Sequence, residues 1–103
     1  MIIHTVAFKT KHPAGSAEET AFLKAGIALG GLPMVRNFQS YKQISPKNNF
    51  DFGFAMEFET DQDYEAYNSH PDHVYFVANR WNKEVEDFLE IDYLKYDPAD
   101  QDG

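Results

Sequence analysis

The chain has 103 residues, the length of one compact domain, and carries a formal charge of -8 with only nine Lys and Arg. Nucleic acid and anionic membrane surfaces are excluded as expected partners, because both call for clustered positive charge. The chain has no cysteine, which excludes disulfides, thiolate catalysis and Cys-ligated metals.

Hydrophobic residues make up 43% and aromatics 16%, nine Phe and six Tyr among them. Rings in that number exceed what a small core needs, so some are expected to line a cavity or a subunit interface. The opening MIIHTVAFK has no basic segment followed by a long apolar stretch, and no run approaches the roughly 18 apolar residues of a membrane span. A cytoplasmic protein is the expectation.

Residues 2–9, IIHTVAFK, read as a strand with His4, Val6 and Phe8 on one face and Ile3, Thr5 and Ala7 on the other. Pro13 and Gly15 mark a loop. His12 within it is expected in solvent. Ser16-Ala17-Glu18-Glu19 fits a capping box, in which Ser and Glu satisfy free backbone N–H groups at a helix start. Phe22, Ala25, Gly26 and Leu29 follow at helical spacing, and Gly26 predicts close approach of this helix to a sheet. Gly30, Gly31 and Pro33 stop it.

Residues 35–44 read as a second strand and 45–49 as a turn. Residues 50–59, FDFGFAMEFE, alternate strictly. Phe50, Phe52, Phe54, Met56 and Phe58 take one face, with Asp51, Gly53, Ala55, Glu57 and Glu59 on the other, which predicts a hairpin with the strand before. The small residues Gly53 and Ala55 leave room for a ligand or another chain.

A second helix starts at Thr60 or Asp61 and presents Tyr64 and Tyr67 to one side. Ser69-His70-Pro71 interrupts it, and Pro71 suits a first helical position, so a helix restarts there carrying His73, Val74, Val77 and Trp81. His70 reads as a cap residue. Residues 87–96 form a last strand, with Leu89, Ile91 and Tyr93 opposed to Phe88, Glu90, Asp92 and Leu94. The acidic run from Glu84 to Asp92 reads mostly as solvated surface. Residues 1–97 are expected to be one domain, and 98–103 a frayed polar tail.

The order strand, helix, strand, strand, helix, strand predicts an α+β ferredoxin-like sandwich, one antiparallel four-stranded sheet with both helices on one face. The other sheet face is then bare and partly apolar. Pairing two copies through it, as a homodimeric α/β barrel, would cover it.

The motifs, in their order and spacing, resemble the stress-responsive A/B barrel (Dabb) family over about residues 1–96. His4-Thr5-Val6-Ala7-Phe8-Lys9 is similar to that family's first strand, and Gly31-Leu32-Pro33-Met34-Val35 to its entry to strand two. Phe58-Glu59, Tyr67, His70-Pro71-Asp72-His73 with Phe76, and Asp92-Tyr93 are similar to later family motifs. The resemblance implies a ferredoxin-like fold and homodimers that join their sheets. Many members have no established biochemical role, and some are linked to stress responses in plants. A few plant members are polyketide cyclases that close an aromatic ring by an aldol-type condensation without metal or organic cofactor. Their working groups match His4, His73 and Tyr67 here.

Read as residues, His73 is a general base of near-neutral pKa or a first-turn helix His packed on the sheet. His4 is a cavity group or a buried, satisfied polar residue. Tyr67 is an oxyanion donor or a core aromatic with a wet tip. A metal at His70 and His73, with Asp72 or Glu57, is disfavoured because Pro71 disturbs the helix that would aim both rings. Three functions stay open. One is cofactor-free acid–base chemistry on an aromatic or polyketide-like carbonyl compound, with His73 removing a proton alpha to the carbonyl. The second is a non-catalytic ligand-binding or structural dimer. The third, by analogy of fold alone, is a cofactor-independent monooxygenase.

Overall fold

The computed structural model describes residues 1–101. Strand β1 spans Ile2–Thr10 and is followed by helix α1, Ala17–Ala28. The Ser16 hydroxyl accepts a hydrogen bond from Glu19 N–H at 3.2 Å, and the Glu19 carboxylate accepts one from Gly15 N–H at 3.0 Å. The Ser16 half of the predicted capping box forms, whereas Glu19 reaches one residue further back, because Ser16 N–H donates to the Pro13 carbonyl at 3.1 Å. Strand β2 is Arg36–Lys42 and β3 is Phe52–Phe58, both shorter than the predicted runs. Asn37, at φ 48°, accompanies a register irregularity between Arg36 and Gln39.

Helix α2, Asp61–Ser69, is capped by the Thr60 hydroxyl, which accepts from Asp63 N–H at 3.1 Å. Helix α3, Pro71–Phe76, is capped by His70, whose Nδ1 accepts from Asp72 N–H at 3.1 Å. His70 therefore has the capping role read for it. The chain then widens into a π-helical turn, Val77–Trp81, before a single helical turn α4, Asn82–Glu84. Strand β4 runs Val85–Leu94, two residues earlier at each end than predicted. Residues 98–101 form a 3-10 turn, and the rest of the expected tail lies outside the described residues.

The sheet order is β2-β3-β1-β4, and every pair is antiparallel. With the helices packed on one face, this is the ferredoxin-like sandwich. Residues directly opposite across strands share a face. The rows Phe58–Ile2–Leu94, Met56–His4–Asp92, Phe54–Val6–Glu90 and Phe52–Phe8–Phe88 face the helices. Phe8, Phe22 and Phe58 are wholly buried between the layers. At Gly26 an added Cβ would lie 2.7 Å from Phe54 Cε2, so the close approach read from that glycine is real.

The alternate rows, Glu57–Ile3–Tyr93, Ala55–Thr5–Ile91 and Gly53–Ala7–Leu89, form the opposite face. No helix among the described residues covers it. Leu89, Ile91 and Tyr93 are exposed there beside the small residues Gly53, Ala55 and Ala7.

Candidate functional site

A cavity of about 300 Å³ lies between the sheet and the helices. His4, Val6 and Met56 rise into its wall from the sheet, and Tyr67, His73 and Trp81 from the helical side. The three residues singled out in the sequence are thus brought to one cavity. Its size is at the small end for a ligand pocket, and its wall is mainly apolar, as such pockets are. The π-helical turn contributes Val77 and Trp81 to the wall. Such widened turns recur at functional sites because they re-aim side chains by a fraction of a turn.

His73 sits in the first turn of α3. Its Nδ1 donates to the Asn68 carbonyl at 3.2 Å. A carbonyl only accepts, so the proton is on Nδ1 and the lone pair on Nε2. Burial lowers the His73 pKa from its ordinary 6.5, against the opposing pull of the Asn68 hydrogen bond and with a further lowering from the His4 side. The ring is therefore a neutral base at neutral pH.

Tyr67 packs against His73 with ring centroids 4.3 Å apart and lies 6.5 Å from His4. The residue is 4% exposed, and its hydroxyl makes no hydrogen bond to a described residue. No fully buried side-chain N or O lacks a partner among the described residues, so this hydroxyl touches the open space of the cavity. Burial, and then the Glu90 charge, push its pKa up, which keeps the phenol protonated and able to donate.

His4 is buried and held from behind. Its Nδ1 donates to Asp92 Oδ1 at 2.6 Å, which leaves Nε2 as the second nitrogen, again without a described partner. Tyr64 completes the arrangement. Its O–H donates to Asp92 Oδ2 at 2.8 Å, with Glu90 Oε1 a second acceptor at 3.2 Å. The Tyr64 oxygen also lies 2.8 Å from His4 Nδ1. The Tyr64 pKa is driven up by burial, then by the Asp92 hydrogen bond and the two carboxylate charges. Its ring stacks on Phe58, 4.7 Å between centroids and 3° from parallel.

Sequence reasoning gave no site role to Asp92, Glu90 or Tyr64, although Asp92 lies in the Asp92-Tyr93 motif. A signal existed. Glu90 and Asp92 alternate on the same face of β4 as Phe88 and Leu94, so two acids point where apolar residues pack. The run is mostly solvated, as expected, with Glu86, Asp87, Glu90 and Asp92 exposed; what the pairing of β4 with β1 adds is that it sets Asp92 opposite His4. Only the start of the run departs from that expectation. Glu84 is partly buried, 2.5 Å from Arg80 Nε and 2.7 Å from His12 Nε2. His12 is accordingly partly buried and hydrogen-bonded to Glu84, and does not stand free in solvent.

Among the described residues, the His–carboxylate set that could hold a metal is His4, Glu90 and Asp92, whose ligand atoms lie within 4.8 Å of one another. It does not involve His70 or His73. The Tyr64 hydroxyl and the His4 Nδ1 proton already engage these oxygens, so the set reads as a hydrogen-bond network.

The fold and this site define a small α+β sandwich with a His/Tyr-lined cavity under its helices. A family model described as the stress responsive A/B barrel domain (Dabb) matches residues 2–95, and the chain belongs to that family. It is 29% identical over 96 residues to a stress-response A/B barrel domain-containing protein of Arabidopsis thaliana. That match covers 91% of this chain and 36% of the relative, so the chain spans about a third of that protein's length. A Dabb-family protein of ferredoxin-like fold from Mesorhizobium loti is 49% identical with a TM-score of 0.90, covering 93% of this chain and 97% of that one. Two more distant structures share the fold alone. A hydroxynitrile lyase from Passiflora edulis is 13% identical with a TM-score of 0.79, covering 93% and 94%. A dimeric ferredoxin-like protein from Thermobifida fusca is 19% identical with a TM-score of 0.75, covering 91% and 90%. No helix among the described residues is long and apolar enough to cross a membrane.

Proposed function

We propose that the chain works as a homodimer whose cavity takes a small aromatic or polyketide-like carbonyl compound and carries out acid–base chemistry with its own side chains. The observation that carries this reading is the convergence of three polar groups without described protein partners, His73 Nε2, the Tyr67 hydroxyl and His4 Nε2, on one apolar cavity. A base of lowered pKa beside a protonated phenol is the pair that enolisation requires.

In this reading His73 Nε2 takes the proton alpha to the carbonyl. The Tyr67 O–H donates a hydrogen bond to the carbonyl oxygen as charge builds there. His4, oriented by Asp92 and Tyr64, positions the second polar group of the substrate. The carbon formed attacks a second carbonyl of the same molecule, and the protonated His73 returns its proton to the new alkoxide. A hydroxynitrile lyase shares this fold, which by analogy of fold alone is compatible with an enzyme here.

The dimer is supported by the uncovered sheet face, where Leu89, Ile91 and Tyr93 flank a floor of Gly53, Ala55 and Ala7. A second copy laid on that floor closes a barrel and removes the apolar face from water. The dimeric neighbour from Thermobifida fusca points the same way. A ligand-binding dimer without turnover is the second reading, favoured by the mainly apolar wall. A cofactor-independent monooxygenase rests on shared fold alone.

The test is a panel of aromatic ketones and diketones, scored for binding by NMR and for deuterium exchange at the alpha carbon. His73→Ala and Tyr67→Phe are run beside the parent chain. Exchange that vanishes in His73→Ala while the thermal melt is kept supports catalysis. Binding without exchange leaves the ligand-binding reading. No binding by any member sinks both.

A further inference from the structure

Glu90 was chosen by no motif, yet it is the one acid in the cavity wall among the described residues, and no Lys or Arg lines that wall. Its Oε1 accepts from the Tyr64 hydroxyl at 3.2 Å and lies 3.7 Å from His4 Nδ1, while Oε2 makes no hydrogen bond to a described residue. Its side chain is 50% exposed, so it stands at the cavity mouth, on the edge strand β4. His4 does not neutralise it, because any positive charge there is matched by Asp92 at 2.6 Å on the same nitrogen. The rest of the wall is mainly apolar and aromatic, with Asn68 and Asn82 its neutral amides beside His4 and His73, and such a wall sharpens the effect of one fixed charge. Trp81 and Phe88 line the same wall with ring centroids 5.5 Å apart, and an aromatic face attracts a cation and not an anion.

We propose that Glu90 sets the ligand class of this cavity: carbonyl compounds of aromatic size that carry a protonated amine or no charge, and never a carboxylate. An ammonium at the mouth meets the free Oε2 and the ring faces together. A carboxylate there meets Glu90 with no cation to offset it, and leaves water to do so. This inference rests on the small-molecule reading of the cavity.

Three probes of one shape separate the two ideas: 3-phenylpropylamine, 3-phenylpropan-1-ol and 3-phenylpropanoate. Each is titrated by NMR at neutral pH and low salt into the parent chain, Glu90→Gln and Glu90→Lys, with melts to check folding. The expected order in the parent chain is amine, alcohol, carboxylate, with about tenfold or more between the ends. Glu90→Gln should bring the three within about threefold, and Glu90→Lys should invert the order. If the alcohol binds but the parent chain treats all three alike, or if Glu90→Gln keeps the order, the selectivity proposal is overturned and the cavity reading stands. If none of the three binds any variant, the cavity reading fails and the selectivity falls with it.

Discussion

His4 and Asp92 are 88 residues apart in the chain and 2.6 Å apart in space. They are directly opposed across β1 and β4, so the contact is set by strand register and not by a flexible reach. Asp92 uses one oxygen for His4 and the other for Tyr64. A carboxylate can accept both bonds, whereas an amide has one acceptor oxygen.

Asp92→Asn is therefore expected to lose one of the two bonds. The cost is about 1–2 kcal/mol, reduced from the usual charge-assisted range because the carboxylate is 39% exposed. That corresponds to a melting temperature lower by roughly 4–8 °C per kcal/mol. Nitrogen-15 NMR of the His4 ring should show the Nδ1–H tautomer in the parent chain and a mixture in the variant. An unchanged tautomer would mean that Asp92 does not orient His4.

His73 gives stability a pH dependence whose sign follows from burial. Its folded pKa lies below 6.5, so the unfolded chain takes up the proton first as pH falls. Its contribution is whole above about 6.5, declines as pH drops toward the lowered folded value, and levels off beneath it. The urea midpoint of the parent chain should fall more between about pH 7.5 and about pH 5.5 than that of His73→Gln. Equal slopes would place His73 in water.

Glu84 acts in a lower window. Its carboxyl is held below its usual 4.5, first by the Arg80 hydrogen bond and also by His12. The stability it supplies is present above 4.5 and is lost as pH falls through the folded value. Glu84→Gln should flatten the acid limb of the stability profile while leaving the His73 window in place.

Gly26→Ala tests the closeness of α1 to the sheet. Ala gains about 1 kcal/mol of helix propensity, but its Cβ would lie 2.7 Å from the Phe54 ring. Overpacking of this kind costs about 1–3 kcal/mol, so a net loss is expected, with Phe54 pushed toward the cavity it lines. A variant more stable than the parent chain would show that the ring yields freely.

Ile91→Lys puts a charge among the exposed apolar residues of the open sheet face while leaving the core rows untouched. Light scattering should report half the parent mass with the far-UV spectrum retained. A dimer that survives the change would have to use another surface.

Much of the fold was legible because its signals are local. Strict alternation in residues 50–59 dictated which Phe residues are buried, since a strand's side chains have a period of two whatever surrounds them. Thr60, Ser16 and His70-Pro71 marked helix starts, because caps satisfy backbone groups two or three residues away. His4, Tyr67 and His73 were legible through family motifs, and the cavity they share follows from those elements being in place.

What only the tertiary structure decided is what stands behind and beside that trio. Asp92, Glu90 and Tyr64 meet His4 because β4 pairs with β1 in one register, and a slip of one residue would turn both acids to the opposite face. His12 meets Glu84 only once the loop after β1 lies beside the end of α4. Such contacts join residues 26 to 88 apart on separate elements, so none of them can be read from neighbouring positions. Sequence by itself determined which faces are apolar and where helices begin, because those depend on the next few residues. It left open which charges would share a cavity, because that depends on elements that meet only when the chain has folded.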